Sequence, residues 1–372
     1  MSPHPQALLV NYAALLGGAE RILLDHAAAL DGPVALACPE GPLAAAAREA
    51  GIAVHPLARR RLELRASARD RIATPLRMGA QAREVRRLTA ALRPRCVVAW
   101  GMRALLSCSA GLRGLRPRPP LVFQHNDLLP SPFVGRAVRA AARRADAVVA
   151  LSDAIAADLD PTARLDGRLT TIRAGVDLDR FSPAPGPPPA GPPTALVLGA
   201  IVGWKRPDLA LEIAAAARTE LPDLRLRLAG APLGAAGEAL LADLRRRAAA
   251  PDLAGRVEIA GPVADVPAAL VAATCLLHCA DAEPYGMAIV EALACGRPVV
   301  APRGGGPREL VAPDRGVLYP PGDAAAGAAA LARAVAAAPA LGAGARAFAE
   351  SELDVTVAGE RFRALVAAVA RQ

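Results

Sequence analysis

Short apolar segments alternate with helical segments along most of the chain, and one proline-rich stretch, Ser182 to Pro193, interrupts the alternation. Strands that alternate with helices predict parallel sheets. A proline-rich stretch is stiff and extended, which is typical of a linker between domains. A length of 372 residues is enough for two domains, each with its own core. We therefore expect an α/β protein with two Rossmann-like domains that face each other across a cleft.

The same interruption sets the expected domain limits. We expect a first domain over residues 1–182, a linker over 183–193 and a second domain over 194–355. The remaining residues, 356–372, form a predicted helix that returns to the first domain.

The chain carries a formal net charge of +9, with forty-three arginines and a single lysine, Lys205. A net positive charge is compatible with binding to nucleic acid, to an anionic membrane surface or to an anionic substrate. The sequence has no helix-turn-helix, zinc-finger or stacked-aromatic pattern, so we do not expect nucleic-acid binding. Because an ammonium group and a guanidinium group are not equivalent, a lysine kept in an arginine-rich chain suggests a specific role.

Residues 59–87 contain ten arginines with apolar residues between them. Such a segment is either a solvated helix face, a peripheral contact with an anionic membrane, or a site for an anionic acceptor. No apolar run reaches 18 residues, and the first residues lack the cationic flank of a signal sequence. We expect a cytoplasmic protein, either free or peripheral at the inner face of the membrane. The six cysteines are scattered through apolar patterns and are expected to be reduced core residues.

The stretch from His278 to Gly296 contains two carboxylates, Glu283 and Glu291. A helix is predicted from Tyr285 to Cys295, because the proline before it suits a first turn and the glycine after it ends a helix. Apart from Glu291 this helix is apolar on every side, so we expect it to be buried and its carboxylate to meet hydrogen-bond donors.

The spacing of the two carboxylates restricts their use. A rise of about 1.5 Å per residue puts Glu283 and Glu291 roughly 12 Å apart along the helix axis. The acid and base of a glycosidase are roughly 5–9.5 Å apart, so this pair is not expected to straddle one scissile bond. The spacing suits the two ends of an elongated ligand. The alternative is that Glu283 caps the helix and Glu291 is half exposed.

Two further candidates lie in the first half of the chain. Gly17 and Gly18 stand between a predicted strand and a helix, where glycine allows the backbone to approach an anion closely. His125 follows a predicted strand at the edge where α/β sheets bind ligands, and it is either a base or donor to a substrate or a structural residue. The dinucleotide fingerprint G-x-G-x-x-G is absent from the sequence, which argues against an oxidoreductase.

Five short segments occur in a fixed order around the linker: Gly17-Gly18-Ala19-Glu20, Ala174-Gly175-Val176-Asp177 with Phe181, Gly199 with Lys205-Arg206-Pro207, Glu283-Pro-Tyr-Gly286 through Glu291, and Gly305-Gly306-Pro-Arg-Glu309. In these segments the chain resembles the retaining, nucleotide-sugar-dependent glycosyltransferases of the two-Rossmann-domain (GT-B) fold. They form the large group 1 family, which includes bacterial α-mannosyl- and α-glucosyltransferases. The segments are similar to that family's G-G-x-E loop, N-G-V-D…F segment, phosphate-binding turn, E-x7-E motif and G-G-x-x-E motif. The resemblance covers nearly the whole chain, but the family commonly has an arginine where this chain has Ala200 and an asparagine where it has Ala174.

The resemblance implies roles for single residues. Glu291 would accept hydrogen bonds from ribose hydroxyls, Glu283 would hold the hydroxyls of the donor sugar, and Lys205 would neutralise the diphosphate. His125 would face the acceptor, and with Glu283 and Lys205 it forms the expected catalytic set. The other donor-site residues that the resemblance implies are the backbone groups of Tyr285, Gly286, Met287, Gly305 and Gly306, the side chain of Arg206 in place of the arginine missing at Ala200, and the glycines Gly17 and Gly18.

As a function, the resemblance implies transfer of a hexose-type sugar from a UDP- or GDP-sugar to a saccharide or lipid-linked saccharide, with retention of anomeric configuration. The sequence has no credible acidic D-x-D cluster, so we expect no metal and no other cofactor. The alternative is a non-catalytic sugar-nucleotide-binding or scaffold subunit of a glycan assembly system, which the loss of arginine at Ala200 favours. An epimerase or phosphorylase of the same fold is a less favoured alternative.

Overall fold

The computed structural model describes residues 4–59, 68–184 and 191–371. Residues 60–67 of the basic segment and residues 185–190 of the expected linker lie outside the described residues, as do the side chains of the first residues of the helix that follows residue 67.

The described chain divides into two compact units. One consists of Met1–Arg173 together with Thr356–Gln372, and the other of Ala174–Val355. Each unit has its own parallel sheet, and each sheet has its own cluster of buried apolar side chains. These two sheets confirm the α/β class that the alternation predicts.

The first unit is built on seven parallel strands. Their bounds are β1 Ala7–Val10, β2 Val34–Cys38, β3 Ala53–Pro56, β4 Cys96–Trp100, β5 Leu121–His125, β6 Ala147–Ala150 and β7 Leu169–Thr171. The helices between them are α1 Gly18–Ala28, α2 Pro42–Glu49, α3 Ala68–Leu92, α4 Met102–Gly111, α5 Pro132–Ala142 and α6 Asp153–Leu159. The strand order is β3-β2-β1-β4-β5-β6-β7. Strands β1 and β4 are buried along their whole length, as expected for the centre of a parallel sheet covered by helices on both faces.

The second unit repeats this plan with six parallel strands. Their bounds are β8 Thr194–Leu198, β9 Arg225–Ala229, β10 Val257–Gly261, β11 Cys275–Leu277, β12 Val299–Pro302 and β13 Gly316–Tyr319. The helices are α7 Pro207–Ala216, α8 Gly234–Ala248, α9 Val266–Ala272, α10 Met287–Ala294, α11 Pro307–Leu310, α12 Ala324–Ala336 and α13 Ala338–Glu352; the C-terminal helix, α14 Val355–Val369, belongs to the first unit from Thr356 on. The strand order is β10-β9-β8-β11-β12-β13, so the direction of winding reverses between β8 and β11. In open α/β sheets, ligands bind at such a reversal, beyond the carboxyl ends of the strands.

The boundary between the units lies nearer the N-terminus than the expected limit at residue 182. Residues 174–182 belong to the second unit because their backbone crosses the segment that precedes α14. The amide of Val176 donates to the carbonyl of Leu353 at 2.9 Å. Gly175 is so close to the same carbonyl that a Cβ atom there would stand 2.3 Å from its oxygen. The limit is therefore set by a backbone contact between segments that are far apart in the sequence.

Helix α14 packs on the first unit through a buried aromatic cluster. The ring of Phe362 stacks on the ring of His26 with centroids 4.4 Å apart, and the Trp100 ring lies edge-on at 5.7 Å from His26. The Trp100 indole N–H donates to the carbonyl of Ala19 at 3.1 Å, which ties the cluster to the start of α1. Neither ring nitrogen of His26 has a hydrogen-bond partner among the described residues. Burial lowers the pKa of His26 to about 4, so the ring is neutral at neutral pH.

The described part of the basic segment belongs to helix α3. One of its arginines, Arg86, donates to the carbonyl of Arg113 at 2.5 Å and so attaches α3 to the chain that follows α4. In the described ranges no single helix combines the length and the apolar character needed to cross a membrane. Helices α12 and α13 reach that length and apolar character only when taken together, and the chain bends by 87° between them. Membrane contact through residues 59–87 stays a prediction.

We expect the stability of the first unit to fall in mild acid because of His26. Its pKa is about 4 in the folded chain and about 6.5 in an unfolded one, so the unfolded state binds more protons between these values. The stabilisation is complete above pH 6.5 and is lost as the pH falls towards 4, by on the order of 3 kcal/mol. In His26→Phe, which keeps an aromatic ring in the stack, urea unfolding at pH 7.5 and at pH 4.5 should differ less than in the wild type. An equal pH dependence in both proteins would contradict this assignment.

Candidate functional site

The predicted donor-site residues of the second unit lie on loops that follow three neighbouring strands. Lys205 lies on the loop after β8, Glu283 on the loop after β11, and Gly305 and Gly306 on the loop after β12. These strands stand side by side in the sheet, and the winding reverses between the first two. The structure therefore brings residues from separate motifs together at the edge where an α/β sheet binds its ligand.

The carboxylate of Glu283 is the centre of this cluster. The Glu283 residue is only 7% exposed, the Nζ atom of Lys205 lies 2.5 Å from its Oε2 atom, and the Nε2 atom of His278 lies 3.2 Å from the same oxygen. Although His278 Nε2 lies close to Oε2, its orientation does not give it a hydrogen bond within the described chain. Burial alone would raise the pKa of Glu283, but the adjacent His278 imidazole and the charge of Lys205 outweigh burial and lower the pKa to about 2. At neutral pH Glu283 is thus a carboxylate, which accepts hydrogen bonds and has no proton to donate.

His278 was not among the residues predicted for the site. It follows the apolar strand β11 directly and is 5% exposed. The sequence does contain a pattern that indicates His278: a polar residue at the carboxyl end of a buried strand. The same pattern made His125 a candidate. The sequence does not indicate that the imidazole meets Glu283, five residues further on.

The loop that carries Lys205 depends on glycine. Gly199 has φ 147°, a backbone conformation that favours glycine, and a Cβ atom on Gly230 would stand 1.7 Å from the Gly199 carbonyl oxygen. The Lys205 ammonium lies over the ring of Trp204, 4.3 Å from its centroid. A small pocket is lined by this loop together with Lys205 and His278.

Arg206, expected to replace the missing phosphate-site arginine, is already paired with two carboxylates. Its Nε atom lies 3.0 Å from the nearer oxygen of Asp208, and its Nη1 atom lies 3.0 Å from Asp281. Arg206 has a left-handed backbone (φ 51°) at the start of α7, which directs it differently from its neighbour Lys205. A diphosphate would have to compete with both aspartates for this guanidinium group.

Helix α10 begins two residues later than expected. Gly286 has φ 107°, which ends the preceding turn, so Pro284 and Tyr285 lie before the helix and not in its first turn. The hydroxyl of Tyr285, which is buried, donates to the carbonyl of Ala174 at 2.5 Å. The side chain of Tyr285 therefore anchors the turn, and the expected contact of its backbone with a donor stays a prediction. The N–H group of Ile289 donates to the Gly286 carbonyl at 2.9 Å, so only the helical N–H groups before Ile289 lack an acceptor within the helix.

The alternative in which Glu283 caps the helix and Glu291 is half exposed is wrong. The residue that caps α10 is Gly286, while the carboxylate of Glu283 meets Lys205 and His278. Glu291 lies inside α10 and is 9% exposed. Its role towards ribose stays a prediction.

The glycine pair after β12 packs on the turn that follows Glu283. The amide of Gly306 donates to the Glu283 carbonyl at 2.9 Å, so this N–H is not free for a pyrophosphate. A Cβ atom on Gly305 would stand 2.3 Å from the same carbonyl oxygen, and one on Gly306 would stand 2.2 Å from the carbonyl oxygen of Tyr285. Glycine is therefore required at both positions because the two loops approach each other closely. This packing role differs from the phosphate contact that the resemblance implies.

The remaining predicted residues belong to the first unit. The Gly17 amide donates to the Glu20 carboxylate at 3.1 Å, while Gly18 is the first residue of α1. His125 is fully buried at the end of β5, and neither of its ring nitrogens has a partner within the described chain. Burial lowers the pKa of His125 to about 3, so the ring is a neutral imidazole at neutral pH.

A metal site is not apparent in the part of the chain that the structure describes. Across residues 4–59, 68–184 and 191–371, no group of three or more His, Cys, Asp or Glu side chains is arranged to hold an ion. Independence from metal stays a prediction.

Both halves of the chain match known protein families. Residues 180–341 match the family described as "Glycosyl transferases group 1", and residues 16–180 match "Glycosyltransferase Family 4".

Curated relatives match over shorter stretches. The chain is 36% identical over 198 residues to D-inositol 3-phosphate glycosyltransferase 2 of Catenulispora acidiphila, which covers 49% of this chain and 46% of that protein. It is 35% identical over 185 residues to D-inositol 3-phosphate glycosyltransferase of Thermobifida fusca, covering 44% and 42%. The chain thus spans less than half the length of these relatives.

Solved structures match over almost the whole chain. Alr3699/HepE of Anabaena, crystallised with UDP and glucose, has a TM-score of 0.81 at 22% identity, covering 98% of this chain and 100% of that one. Sucrose-phosphate synthase from Thermosynechococcus elongatus has a TM-score of 0.77 at 20% identity, again covering 98% and 100%. At these identities the likeness shows the fold, which is the GT-B fold that the sequence resemblance predicts.

The contact between Lys205 and Glu283 predicts strong coupling of the two residues in the ligand-free protein. At pH 7, Lys205→Met leaves a buried carboxylate without its ammonium partner and should lower the free energy of unfolding by about 1–3 kcal/mol. Lys205→Met combined with Glu283→Gln should cost less than the two single changes added together, with a coupling of at least about 1 kcal/mol. Because the pKa of Glu283 is lowered to about 2, the coupling is complete above pH 4.5 and is lost as the pH falls towards 2.

A double-mutant cycle in urea measures this coupling. The control pair is Lys205→Met with Glu258→Gln, since the side chain of Glu258 is exposed and pairs with Arg227. The control pair should be additive within about 0.5 kcal/mol. Additivity of the Lys205 and Glu283 changes as well would show that the ion pair does not stabilise the fold.

Proposed function

We propose that the chain transfers a hexose from a UDP-sugar to a hydroxyl of a saccharide or lipid-linked saccharide, with retention of configuration, because residues 180–341 match the glycosyl transferases group 1 family and residues 16–180 match Glycosyltransferase Family 4. The observation that carries this proposal is the buried Glu283 carboxylate, which is paired with the only lysine of the chain where the sheet reverses its winding. UDP is favoured over GDP because HepE has been crystallised with UDP and with UDP-glucose.

The charges of the cluster fit a reaction in which a diphosphate leaves. Breaking the bond between sugar and phosphate builds negative charge on the leaving oxygens, and a fixed cation there lowers the barrier. Lys205 supplies this cation, and the N–H groups at the start of α10 add partial positive charge nearby. Glu283, as a carboxylate, accepts hydrogen bonds from the hydroxyls of the sugar.

The second glutamate acts at the other end of the donor in this proposal. Glu291 is buried within α10, eight residues beyond Glu283, and its carboxylate oxygens can accept hydrogen bonds from donors on a ligand. The two hydroxyls of ribose are such donors. Acceptor attack on the face from which the diphosphate departs gives retention without a covalent intermediate.

The acceptor is less defined than the donor. A saccharide or lipid-linked saccharide is our first candidate. D-inositol 3-phosphate, the molecule in the names of the curated relatives, is the second. Both offer a hydroxyl as the attacking group.

One observation favours a different function. Arg206 is paired with Asp208 and Asp281, and Ala200 stands where the family commonly has an arginine, so Lys205 is the one cation of this phosphate turn that does not pair with an aspartate. This would weaken the diphosphate site and suits a non-catalytic sugar-nucleotide-binding subunit. Such a subunit would bind the UDP-sugar without turning it over, whereas the proposed enzyme hydrolyses or transfers it.

Thermal unfolding with nucleotides tests the donor. We expect UDP and UDP-glucose to raise the melting temperature of the wild type more than GDP or ADP do, since ligand at about 100 times Kd stabilises by roughly 2.7 kcal/mol. Glu291→Gln, which keeps the shape of the side chain and removes its charge, should lose most of the shift with UDP. The matched control Glu258→Gln changes an exposed glutamate of the same unit and should keep the full shift. A full shift in Glu291→Gln would remove the ribose role.

Turnover without metal tests the chemistry. We expect UDP to be released from UDP-glucose, with or without an acceptor, at the same rate before and after EDTA treatment. The reason is that Lys205 and the helix N-terminus supply the positive charge that a metal ion supplies in other enzymes. The anomeric proton of the product, followed by NMR, should report retained configuration at first formation. Loss of the reaction with EDTA and its return with a divalent ion would contradict metal independence. Binding of UDP-glucose with no turnover under any condition would favour the non-catalytic subunit.

A further inference from the structure

Both partners of the Glu283 carboxylate act on the same oxygen. The Nζ atom of Lys205 and the Nε2 atom of His278 lie 2.5 Å and 3.2 Å from Oε2. Within the part of the chain that the structure describes, the other oxygen, Oε1, makes no hydrogen bond or ion pair. The carboxylate therefore has one oxygen held by the protein and one left for a ligand.

Binding of the donor would bring a second anion close to Lys205. A diphosphate carries more negative charge than one carboxylate and attracts the same ammonium group. If Lys205 were the sole partner of Glu283, its move to the diphosphate would leave a carboxylate that is 7% exposed without compensation, at a high cost in free energy. A second partner that stays in place removes part of this cost.

His278 has the rigidity that such a partner needs. Its amide donates to the carbonyl of Val300 at 2.8 Å, and its carbonyl accepts from the hydroxyl of Tyr319 at 3.0 Å. Tyr319 is itself 1% exposed, and His278 is 5% exposed. Lys205, in contrast, has a flexible four-carbon chain on a short 3-10 turn, and its side chain is 23% exposed. Of the two partners, the lysine is the one able to move.

We propose that His278 is a positioning residue, which holds Glu283 through Oε2 so that Oε1 is presented to the donor sugar while Lys205 engages the diphosphate. This inference rests on the proposed function for the identity of the ligand. In this proposal His278 does not contact the donor. His278 acts on donor binding only through the position of the Glu283 carboxylate.

The first experiment compares two ligands that differ only in the sugar. We expect His278→Phe to bind UDP-glucose about tenfold more weakly than the wild type and UDP within about twofold, because the imidazole nitrogen 3.2 Å from Oε2, which orients the carboxylate towards the sugar, is lost. His278→Gln, whose amide N–H replaces Nε2, should restore most of the preference for UDP-glucose. The control Cys279→Ala changes the adjacent buried residue and leaves the imidazole intact, so it should behave as the wild type. An unchanged ratio of the two affinities in a folded His278→Phe protein would overturn the proposal, as would an equal loss for both ligands.

The second experiment needs no nucleotide and separates this inference from the proposed function. In a ligand-free crystal structure of Lys205→Met, the Glu283 carboxylate should remain within hydrogen-bond distance of His278 Nε2. In Lys205→Met combined with His278→Phe it should turn away. A carboxylate that leaves its place in the single variant, or keeps it in the double variant, overturns the positioning role. If the wild type binds neither UDP nor UDP-glucose, the proposed donor is wrong, and these two structures still decide whether His278 positions Glu283.

Discussion

A carboxylate taken out of water has to be paired, and this requirement organises the second unit around Glu283. Its side chain is reached by Lys205 from the loop after β8 and by His278 from the end of β11, while its carbonyl receives the amide of Gly306 from the loop after β12. One residue thus connects the loops of three neighbouring strands at the point where the sheet reverses its winding. The glycines of these loops follow from the same constraint, since a Cβ atom on Gly305 would stand 2.3 Å from the Glu283 carbonyl oxygen.

The pairing also explains why a chain with forty-three arginines keeps a lysine at this place. The neighbouring Arg206 shows what a guanidinium group does here: its planar fork is divided between Asp208 and Asp281 and has little freedom left. An ammonium group is a compact charge on a flexible chain, and it can exchange one anion for another without a change in the backbone. An arginine at position 205 would form a bidentate pair with Glu283 that a ligand would have to break as a unit.

The sequence predicts the parts of this structure that depend on local pattern. Alternating apolar and helical segments predict the two parallel sheets, and the fully apolar sequence of α10 predicts its burial and that of Glu291. The edge strands β3 and β13 are not evident, because edge strands are short and only partly buried, as in the exposed Ala53 and Pro56 of β3. The start of α10 is missed because the left-handed Gly286 overrides the preference of Pro284 for a first helical turn. The partners of Arg206 and Glu283 cannot be read from spacing, since Asp281 is 75 residues from Arg206 and Lys205 is 78 residues from Glu283.

The pairing of Lys205 with Glu283 affects selectivity under the proposed function. A ligand that draws Lys205 away removes one partner from Glu283, and this loss offsets part of the attraction between the ammonium group and the diphosphate. UDP without a sugar leaves that loss in place, whereas the hydroxyls of a UDP-sugar donate to the carboxylate and replace the ammonium group. The site would therefore discriminate between the donor and the UDP product through a buried polar group that one ligand satisfies and the other does not, which is a stronger means of selection than added apolar contact. The same difference favours release of UDP once the sugar has left, because the ammonium group can then return to Glu283.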